Sequence, residues 1–211
     1  MSLELTRVSV TPAGAAAPLF APLTLSVPAG EIVTVMGPSG VGKSTLLDVI
    51  GGHLAHGFTA SGAVTLNGRD MMRLPAEARR IGILFQDALM FPHLTVGDNL
   101  AFGLAQRVRG RAARRAAVDA ALAQAGLAGF AGRDPATLSG GQRARAALMR
   151  ALLAEPLALL LDEPFSKLDT ALRGDIRHFV FDHIRARGIP ALMVTHDAGD
   201  AEAAGGPVVA L

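Results

Sequence analysis

The chain is 211 residues long, half of them hydrophobic and 18% charged, with no Cys, Trp or Tyr. That balance excludes an intrinsically disordered chain, a disulfide scaffold and thiolate chemistry, and no apolar run reaches the ~20 residues that a bilayer-spanning helix needs. A pI near 9.9 makes no case for a nucleic-acid partner, because the formal net charge is only +2 and almost nothing titrates between His and Lys when Cys and Tyr are absent.

The opening, MSLELTRVSV, alternates apolar and polar residues and carries Glu4 and Arg7, so it does not read as a signal peptide. The expectation is a soluble chain of the reducing cytoplasm, serving a membrane only through a partner. Alternation over 3–10 and 23–27 predicts two half-buried antiparallel strands. The run EIVTVM at 31–36 is almost continuously apolar and β-branched, as in a strand covered on both faces. It leads into a glycine-rich loop and a helix expected from Lys43 to Gly51. Further β-type runs stand at 63–67, 81–85, 157–161 and 190–195, with a last short strand at 207–211.

Between Phe85 and Glu155 the character changes, and 95–106, 111–126 and 140–155 read as helices. In the middle one Val118, Ala121, Leu122 and Ala125 recur at helical spacing, and Gly126 supplies the stop. We therefore expect one domain over 1–211. Its α/β core occupies about 1–86 and 156–211, and an inserted helical subdomain occupies about 87–155. Arginines 107, 109, 111, 114 and 115 read as a solvated face, with a contact to lipid headgroups or a partner as the alternative. His53 and His56 have no partner pattern and read as structural.

The loop GPSGVGKS at 37–44 matches the phosphate-loop pattern in full, with a strand before it and a helix after it. Gly37, Pro38, Ser39, Gly40 and Gly42 shape a cradle of inward backbone N–H groups, which Thr45 follows in the helix. Lys43 is placed to reach the β- and γ-phosphates, and the Ser44 hydroxyl to hold Mg²⁺. The apolar strand at 157–161 delivers Asp162 to the carboxyl end of the sheet, behind that metal. Glu163 follows at once and is the candidate general base for an attacking water. Gln86 and His196 each end a β-type run. Gln86 either ligates Mg²⁺, orients water, or is a plain loop residue. His196 either contacts the γ-phosphate and steadies the water and Glu163, or is likewise an ordinary loop residue.

A second anion-type helix start stands at 138–142, LSGGQ, without a lysine. Ser139 is a good N-cap, Gly140 and Gly141 admit close backbone approach, and the helix adds its dipole. One bound nucleotide hardly needs two cradles, so the second is expected to serve nucleotide held by another copy of the chain.

These residues, in this order with Asp169 in SKLD at 166–169, resemble the ATP-binding cassette (ABC) ATPases along nearly the whole chain. The resemblance implies a P-loop NTPase (RecA-like) core of mainly parallel sheet, with an antiparallel β subdomain and an inserted α-helical subdomain. It also implies a head-to-tail dimer around two MgATP, in which Ser139, Gly140, Gly141 and Gln142 face the γ-phosphate of the partner copy and Asp169 couples the two sites. The segments 86–104 and 137–156 look like the small-solute importer cassettes, the thiamine and ferric-iron types among them. That likeness implies an integral membrane permease, an external solute-binding protein and a place on the cytoplasmic face of the inner or plasma membrane. The cluster Leu89, Met90, Phe91 and Leu94 suits a groove for a permease helix, or equally the packing of the inserted helices. The alternative is a soluble ABC ATPase without a permease, of the scaffold or nucleic-acid-associated type, but no coiled-coil insert separates the two motifs. Adenine-stacking aromatics are usual near the end of the first strand in this family. Here the nearest aromatic is Phe20, and Lys167 stands where Ala or Asn is commoner. The family's accessory C-terminal domain is not expected.

Overall fold

The computed structural model describes residues 1–211, Ala171 by its backbone alone. β1 (Ser2–Pro12) and β2 (Leu23–Pro28) precede β3 (Ile32–Met36), the glycine-rich loop and α1 (Lys43–Gly51). Next come β4 (Phe58–Leu66), β5 (Arg69–Asp70), the single turn α2 (Ala76–Arg79) and β6 (Ile81–Leu84). Three helices, α3 (Val96–Phe102), α4 (Arg111–Gln124) and α5 (Gly140–Leu153), lie between β6 and β7 (Ala158–Asp162). The chain continues through α6 (Thr170–Arg187), β8 (Ala191–Thr195), α7 (Ala198–Ala204) and β9 (Val208–Ala210).

Two sheets result. One is antiparallel, in the order β2-β1-β4-β5, and the other is parallel, in the order β6-β7-β8-β3-β9. The parallel sheet is covered on both faces, which explains its unbroken apolar strands. In β7, Leu159 and Leu161 enter one core cluster with helices α3 to α6, while Ala158 and Leu160 enter the other with α1 and the antiparallel sheet. β8 divides in the same way, Ala191 and Met193 to the first cluster and Leu192 and Val194 to the second. The two-residue period of a strand sends alternate side chains into different cores, so each residue of β7 before Asp162 is fully buried.

The structure departs from the sequence expectations at α6, an 18-residue helix that the pattern reading did not assign. Its segment HFVFDHI is rich in aromatic and β-branched residues, and Gly174 sits in its first half, so local propensity is weak. Tertiary packing decides the matter: Ile176, Val180, Phe181 and Ile184 form one buried stripe against the core. Gly188, left-handed at φ 60, then ends the helix and accepts no Cβ penalty there.

Candidate active site

The strand order of the parallel sheet assembles the site. Gln86 lies just beyond β6, Asp162 ends β7 and Glu163 follows it, His196 follows β8, and the glycine-rich loop follows β3. Because β6, β7, β8 and β3 are consecutive neighbours running in parallel, these four segments emerge side by side at the carboxyl edge. Their ends are level, with Leu84 opposite Leu161, Asp162 opposite Val194 and Met36 opposite Thr195.

Gly42 adopts φ 106 at the entry to α1, and a Cβ there would stand 3.1 Å from the Phe20 ring and 3.2 Å from Leu19. Only glycine lets the loop turn this tightly over that apolar floor. Phe20 itself is 6% exposed and packed in the core. Its observed place is beneath the phosphate loop, where it has no free ring face to offer a base. Lys43 is 5% exposed, and its Nζ donates to the carbonyls of Gly37 (2.9 Å) and Pro38 (3.0 Å). These two bonds curl the loop around the ammonium and hold the charge at the cradle's centre. Pro38, Ser39 and Gly40 stay exposed at the rim.

The Ser44 hydroxyl donates to Asp162 Oδ1 at 3.0 Å. This pair of hard oxygens fits Mg²⁺, which takes few protein ligands and completes its shell with water and phosphate oxygens. Among the described residues no group of three or more His, Asp or Glu gathers that could hold a metal alone. Burial raises the Asp162 pKa and Glu163 adds to the rise, against the lowering effects of the Ser44 hydrogen bond and Lys43. Burial and the Asp162 carboxylate likewise raise Asp48, one turn further along α1.

Glu163 Oε1 lies 3.7 Å from Lys43 Nζ and 3.1 Å from His196 Nδ1. The glutamate backbone is left-handed at φ 43, a conformation that persists only where surrounding contacts over-determine it. Those contacts are present: its N–H donates to the Val194 carbonyl, and its own carbonyl accepts from the N–H and hydroxyl of Ser166. Behind His196, Asp197 and Asp200 are gripped by Arg173 and Arg177 of α6, and Thr195 Oγ1 donates to Asp200. Burial would raise the Asp197 pKa, but the backbone N–H groups of Asp200 and Gly199, with Arg177 and Arg173, outweigh it and the net shift is downward.

The second cradle is built but stands apart. Ser139 Oγ accepts from the Gln142 N–H and Gln142 Oε1 accepts from the Ser139 N–H, a complete capping box at the start of α5. Ser139 and Gly140 are exposed, and Gly141 is buried against Ile176. Among the described residues no hydrogen bond or ion pair joins 139–142 to the loop at 37–45. Asp169 is the N-cap residue of α6, yet its carboxylate makes no capping bond and remains exposed.

Two features, the Arg79 cap and the Lys167–Asp87 pair, are not legible in the sequence pattern, whereas the groove beside β6 is expected from it. Arg79 is buried and donates to the carbonyls of Val49, Ile50 and Leu74, so it closes the C-terminal end of α1, the helix that follows the glycine-rich loop. Lys167 Nζ bridges both carboxylate oxygens of Asp87 at 2.6 and 2.7 Å. A groove of about 1090 Å³ opens beside β6, with Phe85, Leu89, Phe91 and Phe102 in its apolar wall. The four-residue cluster divides there: Leu89 is exposed and Phe91 packs edge-on to Phe102, both in the groove wall, whereas Met90 packs on the core and Leu94, half-buried, lies outside the groove lining. The arginine run divides too, since Arg107 pairs with Glu155 while Arg114 donates to the Ala101 and Val108 carbonyls.

A strand–loop–helix cradle on a parallel sheet, with an acidic pair on a nearby strand and a second helix start facing away, defines a P-loop nucleoside-triphosphatase. Residues 20–166 match the family model described as ABC transporter. An uncharacterized ABC transporter ATP-binding protein of Escherichia coli K12, YnjD, is 54% identical over 88% of this chain and 85% of its own length. The thiamine import ATP-binding protein ThiQ of Cereibacter sphaeroides is 47% identical over 82% of this chain and 74% of its own length. The sulfate/thiosulfate import ATP-binding protein CysA of Mycobacterium tuberculosis is also 47% identical, and this chain spans only 49% of it. Among solved structures, the dimeric post-hydrolysis state of the ATP-binding cassette MJ0796 bound to ADP and Pi superposes with a TM-score of 0.81. It is 30% identical and covers 99% of this chain and 94% of that one. The chain belongs to the ABC transporter family and is an ATP-binding ATPase of that family.

Proposed function

We propose that the chain is the energy-coupling subunit of an importer for a small solute, working as a head-to-tail pair around two ATP. The observation that carries this reading is the capped start of α5 at Ser139–Gln142, with Ser139 and Gly140 exposed to solvent. It is an anion cradle in search of a phosphate, and the 30% identical MJ0796 structure is a dimer. In this proposal the helical stretch of about 87–155 is the unit that presents the cradle to the partner copy. Curated relatives that import thiamine, sulfate or ferric ions supply the transport half of the proposal. A permease segment would then seat in the groove beside β6, on the cytoplasmic face of the membrane, with an external solute-binding protein upstream.

Within each site Gly37 to Thr45 would wrap the phosphates, with the Lys43 ammonium exchanging its two carbonyls for β- and γ-oxygens. Mg²⁺, held by Ser44 and Asp162 with Gln86 alongside, would neutralise charge on those oxygens. Glu163 would take the proton of the attacking water as its oxygen bonds to the γ-phosphorus and the bond to ADP breaks. His196, already beside Glu163, would steady that water and the γ-phosphate, and the partner's cradle would stabilise the spreading charge. Asp169 would touch the opposite site across the pair.

Light scattering of the Glu163→Gln chain with and without MgATP tests the pairing. Turnover should fall by at least about 10²-fold if Glu163 is the base, trapping a dimer that is monomeric without nucleotide. A chain that stays monomeric at saturating ATP would contradict it.

A further inference from the structure

The Lys167–Asp87 ion pair joins two catalytic segments that are 80 residues apart in sequence. Asp87 follows Gln86 directly, at the start of the linker from β6 into the helical stretch. Lys167 belongs to the turn that begins at Glu163 and ends at Asp169. That turn is a stiff unit: Ser166 bonds the Glu163 carbonyl through both its N–H and its hydroxyl, and Leu168 N–H donates to Phe165. The linker is held from its other side, where Arg150 of α5 donates to the Leu89 carbonyl and Asn99 brackets the backbone of Phe91. Between these anchors Leu89 N–H turns back onto the Asp87 carbonyl at 2.7 Å. Gln86 therefore stands between the end of β6 and the ion pair, with the helix anchors beyond it.

Both side chains are more than half exposed, 54% for Lys167 and 58% for Asp87, and such pairs contribute little to stability. What this one does is geometric. It is bidentate on the carboxylate, and it ties the segment carrying Gln86 to the backbone carrying Glu163 and Asp169. Asp87 and Leu89 also line the groove beside β6, and Asp87, Lys167, Leu168 and Gly140 line a second cleft toward the α5 cradle.

We infer that Lys167 and Asp87 are a positioning pair for ATP hydrolysis, holding the segment of Gln86 in register with the turn of Glu163. The inference rests on the proposed roles of Gln86 and Glu163. It assigns a purpose to the lysine where the family more often has Ala or Asn.

The test is steady-state ATP hydrolysis by the purified chain, with Lys167→Ala, Asp87→Ala, Lys167→Arg and the exchanged pair Lys167→Asp with Asp87→Lys. We expect kcat to fall about three- to tenfold in either alanine variant, the size of coupling effects at positions that touch no ligand. KM for ATP and the thermal midpoint should be unchanged, Lys167→Arg should keep the rate, and the exchanged pair should recover most of it. A merely structural pair would move the midpoint and leave the KM-against-kcat split untouched. Glu163→Gln is run alongside. If it is inactive while Lys167→Ala turns over at the parent rate, the pair has no positioning role although the catalytic reading stands. If Glu163→Gln keeps the parent rate, the catalytic reading and this inference fall together.

Discussion

At Asp162, the residue proposed to hold Mg²⁺, a single charge acts against the stability of the fold. Its carboxyl is partly buried beside a second carboxylate, and its pKa is raised above 3.8. Between the unfolded and folded values the native state binds more protons than the unfolded chain, so stability falls as pH rises through that window. Above it the full cost of the charged carboxylate remains. Asp162→Asn should therefore raise the thermal midpoint at about pH 7, by about 2–4 °C per kcal/mol of strain relieved at this chain length. The gain should vanish at about pH 3, where both states are protonated. Scanning calorimetry at the two pH values checks this, and a lower midpoint for the variant at neutral pH would count against it. Such a residue is legible in sequence as the acidic end of an apolar strand. Its raised pKa is not, because burial and the neighbouring charges are set by the folded surroundings.

At the scale of elements, α1 shows a device that sequence did not disclose. The dipole of this helix favours anions at its start, and its last carbonyls need donors. Arg79 supplies them from α2, reaching Val49 and Ile50 across about 30 residues of sequence. Of the adjacent pair Arg79 and Arg80, the first turns inward. The second, left-handed at φ 55, turns out to the Glu155 carbonyl. Nothing in the local pattern EARR distinguishes the two. Arg79→Met should leave three carbonyls short of a donor and cost about 2–4 kcal/mol of stability, read as a lower urea midpoint. A cost within 0.5 kcal/mol would show that water replaces the guanidinium freely. Conversely α5 was legible, since Ser139 and Gln142 are three residues apart and the capping box they form is entirely local. α6 lay between these cases, its buried stripe present in the sequence but masked by strand-type residues.

At the scale of the whole molecule the decisive question is whether the cradle at Ser139–Gln142 acts in cis or in trans. Mixing settles it. A Lys43→Ala chain has a defective phosphate loop and an intact cradle, and a Ser139→Arg chain has the converse. Each alone should be nearly inactive. If sites form between copies, mixed pairs hold one intact site, and an equimolar mixture should recover roughly a quarter of the parent rate, since half of the pairs are mixed and one of two sites is whole. If the cradle serves its own chain, mixing recovers nothing.

The sequence by itself determined those parts whose physics is local. The phosphate loop is a run of contiguous backbone N–H groups whose turns demand glycine at Gly42, and the helix cap at Ser139 closes within four residues. Fully buried strands announce themselves because both faces must be apolar. What only the tertiary structure decided is adjacency. Glu163 meets His196 and Lys43, and Gln86 emerges on the next segment of the same edge, because the sheet runs β6-β7-β8-β3, an order in which strands distant in sequence become neighbours. Arg79 under α1 and Lys167 on Asp87 depend on the same packing. Hydrogen-bond geometry informs a few residues on either side, whereas which strand lies beside which follows from burying two apolar faces of one sheet at once, and that is a property of the whole chain.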